Sequence, residues 1–375
     1  MESKRQVDAI YTDIKAAFDR IDHEILLSKL ARLGVHADLV DWLRSYLTSR
    51  HISVKVYDCT SAPFVNTSGV PQGSNLGPLL FVLYFNDVIL GLNEGCKIVY
   101  ADDLKLYAVV ETPNDSVNLQ EQLNFFMNWC RTNKLTVSIT KCLVITFHRK
   151  TKPIMYDYSI DGTVLNRVFE VNDLGVALDT QLTFNSHRTN VINRANRQLG
   201  FITKIARDFT DPYCLKSLYC ALVRSILEFA AVVWTPHQVT WILRLERVQK
   251  RFLRIALRNL AWRDPVNLPA YPDRCSLIGL DTLQFRRKKQ QAVFVAKLLN
   301  GEINSPKMLA QISFHAPVRS LRNSSLLQIR SHRTAYGFNE PWTAMIRTFR
   351  AVEYLHEFGE PSTRFAARIQ RSRVL

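Results

Sequence analysis

Two aspartates stand side by side at the joint of two strand-like runs, and that placement limits the chain more than any other feature. The run KIVY, residues 97–100, alternates; Ala101, Asp102 and Asp103 follow; LKLYAVV then resumes the alternation to residue 110. Alternation on both sides of so short an interruption predicts an antiparallel hairpin with adjacent carboxylates at its tip. Like charges that close repel, and a divalent cation compensates them, since Mg2+ takes one or two carboxylates together with substrate phosphates. A third acid, Asp13, ends the strand-like AIYTDI, residues 9–14. If that strand lies beside the hairpin, Asp13 and Asp102 converge on two metal ions, an arrangement suited to in-line phosphoryl transfer. Asp-Asp pairs are common in ordinary turns, so the pair does not decide this alone.

Other local signals fill in the first half. Asp22 opens a helix that runs to Leu33 and stops at Gly34. Asp38 is expected to cap a second helix, in which Leu39, Trp42, Leu43, Tyr46 and Leu47 share a face. Residues 51–67 read as a hairpin, followed by the punctuated loop SGVPQGSNLGP and the apolar LLFVLYFNDVIL. Residues 117–131 read as helix, 142–147 as strand, and Asp161-Gly162 as a hairpin turn. From about residue 185 the pattern is helical, with runs near 187–206, 212–233, 241–258 and 281–299. Residues 300–375 are Arg-rich and poorly periodic. There are no internal repeats. The fold class expected is α+β to about residue 180, then mostly α.

Charge divides the chain the same way. Of 49 Lys+Arg and 33 Asp+Glu, residues 1–180 hold 18 and 21, and residues 181–375 hold 31 and 12. The second part is therefore +19, against −3 for the first. A basic half without repeats suits a polyanion, nucleic acid first among them, although such charge also simply solubilises. Between Trp241 and Arg258 the point sharpens. Trp241, Leu245, Val248, Phe252 and Ile255 recur at steps of four and three, and so do Arg244, Arg247, Arg251, Arg254 and Arg258. At helical pitch these are two stripes, one fit for a core and the other for phosphates.

Composition, at 47% hydrophobic and 22% charged, excludes a disordered chain, and 375 residues suggest two or three domains. Seven cysteines show neither CxxC nor zinc spacing, which suits a reducing compartment. Residues 59–86 are uncharged but broken by Pro63, Gly69, Pro71, Gly73, Gly77 and Pro78, so they do not read as a membrane span. An intracellular protein without a membrane partner is expected, with nucleus and cytoplasm both open.

These residues resemble a known family, the reverse transcriptases of non-LTR (LINE-type, jockey-like) retrotransposons. The likeness is a series in the family's order. YTDIKAAFDRIDH, SGVPQGSNLGPLLFVLYFNDV, VYADD, LTVSITKCLVITF and VNDLGVALDTQLTFNSH resemble its five successive motifs, over about residues 8–187. Five ordered motifs are specific where YADD alone is not. The resemblance implies a polymerase palm, an antiparallel sheet with helices on one face, at 1–150 with the fingers absent. It further implies a primer-grip hairpin region at 151–185, a helical thumb at 186–260 and a basic C-terminal segment at 261–375.

Roles follow from the resemblance residue by residue. Asp13, Asp102 and Asp103 match the metal-coordinating aspartates, and Ile14 offers its backbone carbonyl. Two Mg2+ ions are implied, with Mn2+ as a substitute. Phe18 matches the steric gate that rejects a 2′-hydroxyl; taken alone it reads as core. Gln72 and Gly73 match the nucleotide pocket, where glycine lets backbone come close to substrate. Lys141 matches a general acid for pyrophosphate release, and Leu174-Gly175 the primer grip. Asp19, Asp22, Asp87 and His23 read as structural. The implied partners are an RNA template, a DNA primer and dNTPs.

The likeness has gaps. Twelve residues precede Asp13, with nothing matching the fingers subdomain, and no endonuclease domain or CCHC knuckle is recognised. An N-terminally truncated or partial reading frame is expected, at a cost to triphosphate positioning. Two other readings stand beside the polymerase: a catalytically silent remnant that only binds nucleic acid, and a group II intron maturase-like protein. The LGVALDTQLTFNSH stretch suits the retrotransposon form better than the maturase.

Overall fold

The computed structural model describes residues 5–93, 95–206, 211–258, 269–315 and 325–375. The chain forms two compact units, Ser3–Val171 with Asp179–Leu182, and Asn172–Leu178 with Thr183–Leu375. The expected thumb boundary at 260/261 lies outside the described residues.

A five-stranded sheet organises unit 1. Its strands are β1 (Gln6–Tyr11), β6 (Lys97–Tyr100), β7 (Asp103–Val110), β8 (Leu143–Phe147) and β11 (Asn166–Val168), in the spatial order β11-β8-β1-β7-β6. β1 pairs antiparallel with both β7 and β8, and β6 with β7. β11 joins β8 in parallel, so the sheet is mixed rather than antiparallel throughout. The reason is the crossover. After β8 the chain makes a small hairpin of β9 (Ser159–Ile160) and β10 (Thr163–Val164) before entering β11 in the direction of β8. Asp161 and Gly162 form that hairpin's turn as expected, with φ of 50° and 77°. The first strand begins and ends earlier than residues 9–14, and Ile14 belongs instead to an isolated bridge with Val137.

One face of this sheet carries the core. Ile10 registers with Leu106 and Val144, and all three are buried with Leu104. Against them pack α1 (His23–Arg32), α3 (Gly77–Gly91) and α4 (Pro113–Thr132), through Leu26, Leu80, Phe81, Tyr84, Leu123 and Phe126. Burying each such side chain contributes about 1.5–3 kcal/mol, an upper estimate. Asp22 caps α1 as expected, accepting from the Ile25 amide at 3.0 Å. Thr112 and Asp115 close a capping box on α4. Lys29 braces three helices at once: its Nζ reaches Tyr84 O at 2.7 Å and Asp87 Oδ1 at 3.0 Å, and Asp87 also accepts from Trp129 Nε1 at 3.0 Å. Burial holds the Lys29 ammonium below its ordinary pKa, against the opposing pull of Asp87.

The second helix, α2 (Ala37–Leu47), departs from expectation twice. Its cap is the His36 side chain, and Asp38 lies within the first turn. Its buried face is Val40, Leu43 and Leu47, while Leu39 and Trp42 are exposed. Trp42 stacks on Tyr46 outside, at 5.7 Å between ring centroids. The expected hairpin after it is present: β2 (Arg50–Ile52) pairs with β5 (Phe64–Asn66), enclosing β3 (Lys55–Val56) and β4 (Cys59–Thr60).

Unit 2 is helical. α5 (Asn185–Ile205) and α9 (Val239–Ala256) are its long early helices. The run near 212–233 breaks into α6 (Pro212–Tyr219), a π turn (Cys220–Arg224), α7 (Ser225–Glu228) and α8 (Ala231–Trp234). Ala230, at φ 50°, interrupts helical backbone there. α10 (Tyr271–Leu277) and α11 (Leu283–Leu299) follow. The described residues of the tail include packed helices: α12 (Pro341–Arg350) and α13 (Ser362–Ser372) bury Ile346, Phe349, Phe365 and Ile369 against Val295 and Ala296 of α11. Among the described residues no helix is long and apolar enough to cross a membrane.

Candidate active site

β1 and β7 are hydrogen-bonded neighbours, and their register fixes where the acids fall. Tyr11 stands opposite Lys105, and Thr12 donates to Leu104 O through its amide at 3.1 Å and its hydroxyl at 2.9 Å. Asp13 follows Thr12 and Asp103 precedes Leu104, so both lie at the same end of the β1–β7 pair. Asp103 pairs with Tyr100, so Ala101 and Asp102 are the two central residues of a tight hairpin, with Ala101 at φ 53°. The three aspartates thus share one corner of the sheet.

Beyond that corner the backbone is pinned by a second segment. Ser138 N donates to Asp13 O at 2.7 Å and Lys15 N to Thr136 O at 2.8 Å, and Ile14, between them, takes part in neither bond. The same segment brings Lys141 in. Its Nζ lies 3.4 Å from Asp13 Oδ2, with the ammonium side chain itself well exposed. Asp13 Oδ2 is shut off from solvent and accepts no hydrogen bond. A buried carboxylate oxygen without a donor is costly, and the Lys141 ammonium is the cation that stands beside it. The donor set is all oxygen, as hard divalent ions prefer. Among the described residues no group of three or more His, Cys, Asp or Glu is gathered to hold a metal ion. Asp13 is turned towards Lys141 rather than into a three-ligand cluster with Asp102 and Asp103.

The PQG loop docks on the stretch after Asp13. Gly69 N donates to Ile21 O at 2.7 Å and Val70 N to Phe18 O at 2.9 Å. Gly69 has φ +84°, and a Cβ there would lie 2.7 Å from the Asp19 backbone, so only glycine permits this approach. Gln72 Nε2 donates to Asp19 Oδ1 at 2.8 Å. Gly73, at φ +80°, faces open space: a Cβ would meet nothing within 4 Å. Phe18 is half-buried and stacks on Phe81 at 4.4 Å between centroids. Asp13, Ile14, Phe18, Gln72, Gly73, Asp102, Asp103 and Lys141 all belong to unit 1.

The remaining candidates belong to unit 2. Leu174 and Gly175 form the turn between β12 (Glu170–Asp173) and β13 (Val176–Asp179), with φ of 45° and 84°. Leu174 is exposed. On α9, Leu245, Val248 and Phe252 are buried while Arg244, Arg247, Arg251 and Arg254 are exposed; Arg258 is half-buried. Arg244, Arg247 and Arg251 line a groove of about 510 Å³ with Asn193 and Asn196 of α5.

Of two supports of this site, sequence reasoning missed Thr12 and read Asp19 as structural without finding its partner. Thr12 closes the β1–β7 pairing with its hydroxyl, and Asp19 holds Gln72. Asp19 carried no signal beyond its place in the first motif, because its partner lies 53 residues on.

Residues 2–178 match the family model described as Reverse transcriptase (RNA-dependent DNA polymerase). Those residues belong to the reverse transcriptase family. The probable RNA-directed DNA polymerase from transposon BS of Drosophila melanogaster is 31% identical over 68% of this chain and 29% of its own length. The RNA-directed DNA polymerase from mobile element jockey of Drosophila funebris is 29% identical over 68% of this chain and 29% of its own. Its Drosophila melanogaster counterpart is 33% identical over 55% of this chain and 23% of its own. The chain therefore spans under a third of the length of these retrotransposon relatives. Among solved structures, apo telomerase from Candida tropicalis aligns with 81% of this chain and 52% of its own, at 11% identity and a TM-score of 0.39.

Proposed function

We propose that this reverse transcriptase domain copies RNA into DNA, joining a dNTP to a primer 3′-hydroxyl with release of pyrophosphate. The observation that carries the reading is the pairing of β1 with β7, which sets Asp13, just past the end of β1, at the same end of the sheet as the hairpin turn that holds Asp102 and Asp103. In this reading unit 1 contains the palm, the β12–β13 hairpin is the primer grip, and residues 186–260 form the thumb. Residues 261–375 are the basic C-terminal segment.

Asp13, Asp102 and Asp103, with the Ile14 carbonyl, would hold the divalent ions that reverse transcriptases use, here two Mg2+ or Mn2+. Such ions lower the pKa of the attacking hydroxyl and stabilise charge on the transferring phosphate. The chain's own groups do the rest. Gln72, steadied by Asp19, and the open face of Gly73 seat the nucleotide. Phe18, fixed by its stack on Phe81, stands under the sugar and excludes a 2′-hydroxyl. Lys141 gives a proton to the leaving pyrophosphate. The exposed arginines of α9 track the phosphates of the RNA template and DNA primer.

Primer extension on an RNA template with dNTPs and Mg2+ tests this, beside Asp102→Asn. The wild-type chain is expected to extend, and the variant to lose about a thousandfold in rate. Extension undiminished in the variant would sink the assignment. No extension by either, with salt-sensitive RNA binding intact, would favour the reading as a remnant that only binds nucleic acid.

A further inference from the structure

Unit 2 contains a cavity of about 400 Å³ that no motif pointed to. Its wall includes His237, Gln284, Arg287, Lys288, Asn339 and Arg347, and no Asp or Glu side chain lines it. Arg287 is the unusual member. It is 1% exposed, and neither terminal nitrogen has a hydrogen-bond acceptor. The Glu246 carboxylate is 3.8 Å away, but its oxygens already accept from the Tyr271 hydroxyl and from the amides of Leu283 and Gln284, at the start of α11. A buried guanidinium with idle donors has lost its water without replacement.

Lys288 stands next to it on α11, and its ammonium has no hydrogen bond or ion pair among the described residues. Arg347 adds a third cation, held in place by Phe338 O at 3.0 Å and Asn339 Oδ1 at 3.3 Å. Burial, then Arg188 and Arg347, hold His237 below its ordinary pKa, so it enters as a neutral imidazole at neutral pH. Leu375, whose side chain packs on the C-terminal core, closes part of the wall. The open donors of Arg287 and the unpaired Lys288 ammonium call for an anion with several acceptor oxygens. The side-chain amide of Gln284 suits the edge of a heterocycle, and the volume falls in the range of small-molecule pockets.

We propose that this cavity binds a nucleotide through its phosphate, with Arg287 and Lys288 as the phosphate's partners. The proposal stands apart from polymerisation, so a chain that fails to extend primers leaves it intact.

Binding is measured with a 5′-phosphorylated tetranucleotide, its 5′-hydroxyl counterpart and AMP. The full chain is expected to bind the phosphorylated form about tenfold more tightly than the hydroxyl form, the worth of a charge-assisted pair. Lys288→Gln is expected to erase that margin. Being half-buried and unpartnered, it tests the site without the folding risk of altering Arg287. AMP that displaces the strand identifies a free nucleotide as sufficient, whereas AMP that fails to displace it identifies a strand terminus. Equal binding of the two tetranucleotides, or a margin unchanged in Lys288→Gln, would overturn the proposal.

Discussion

Asp8 lies on β1 on the same face as Ile10 and is wholly buried. Its two oxygens are served by Gln6 Nε2 at 3.0 Å and the Tyr158 hydroxyl at 2.9 Å. Burial pushes the Tyr158 phenol well above its ordinary pKa, so it stays a donor throughout the physiological range. Tyr158→Phe keeps the ring and removes one donor from a buried carboxylate. A loss of about 1–3 kcal/mol is expected in denaturant unfolding. An unchanged midpoint would show that Asp8 is served some other way. Asp8 and Asp13 differ in how far sequence reveals them. Asp13 was legible because its chemistry is repeated in a series of motifs. Asp8 sits in QVDAIY with no local hint that its partner comes 150 residues later.

Elements were legible where one period dominated. α9 separates its stripes: Leu245, Val248 and Phe252 are buried, Trp241 and Ile255 half-buried, and Arg244, Arg247, Arg251 and Arg254 exposed. α2 was misread because Leu39, Trp42 and Val40 offer two overlapping apolar faces, and tertiary packing chose the one through Val40. The PQG loop shows what periodicity cannot supply, a backbone-to-backbone approach. At Gly69 a side chain must both adopt φ +84° and displace the Asp19 backbone. Gly69→Ala is therefore expected to destabilise unit 1 by about 2–3 kcal/mol in thermal or denaturant melts. A change within about 0.5 kcal/mol, the range of ordinary surface substitutions, would mean the loop does not rest on that segment.

At the scale of the molecule, charge was the most legible property. The +19 carried by residues 181–375 predicts duplex binding that weakens steeply with salt. Replacing Arg244, Arg247, Arg251 and Arg254 together by Gln is expected to shallow the log–log salt slope by about 3.6, because each phosphate left unneutralised takes about 0.9 off it. An unchanged slope would mean that other side chains neutralise the phosphates. The tail was illegible for the opposite reason. α12 and α13 are short amphipathic helices, and both depend for a core on α11, which lies much earlier in the chain.

The order of the sheet also bears on how the protein is made. β1 leaves the ribosome before both strands it pairs with, yet it lies inside the sheet, flanked by β7 and β8. Val7 pairs with Val109 on one side and with Phe147 on the other. A strand made before both its partners is thus completed only when the later of them arrives. Until residue 147 has emerged, QVDAIY keeps an unpaired edge, buried Asp8 lacks its donor from Tyr158, and a slowly translated chain is exposed to mispairing.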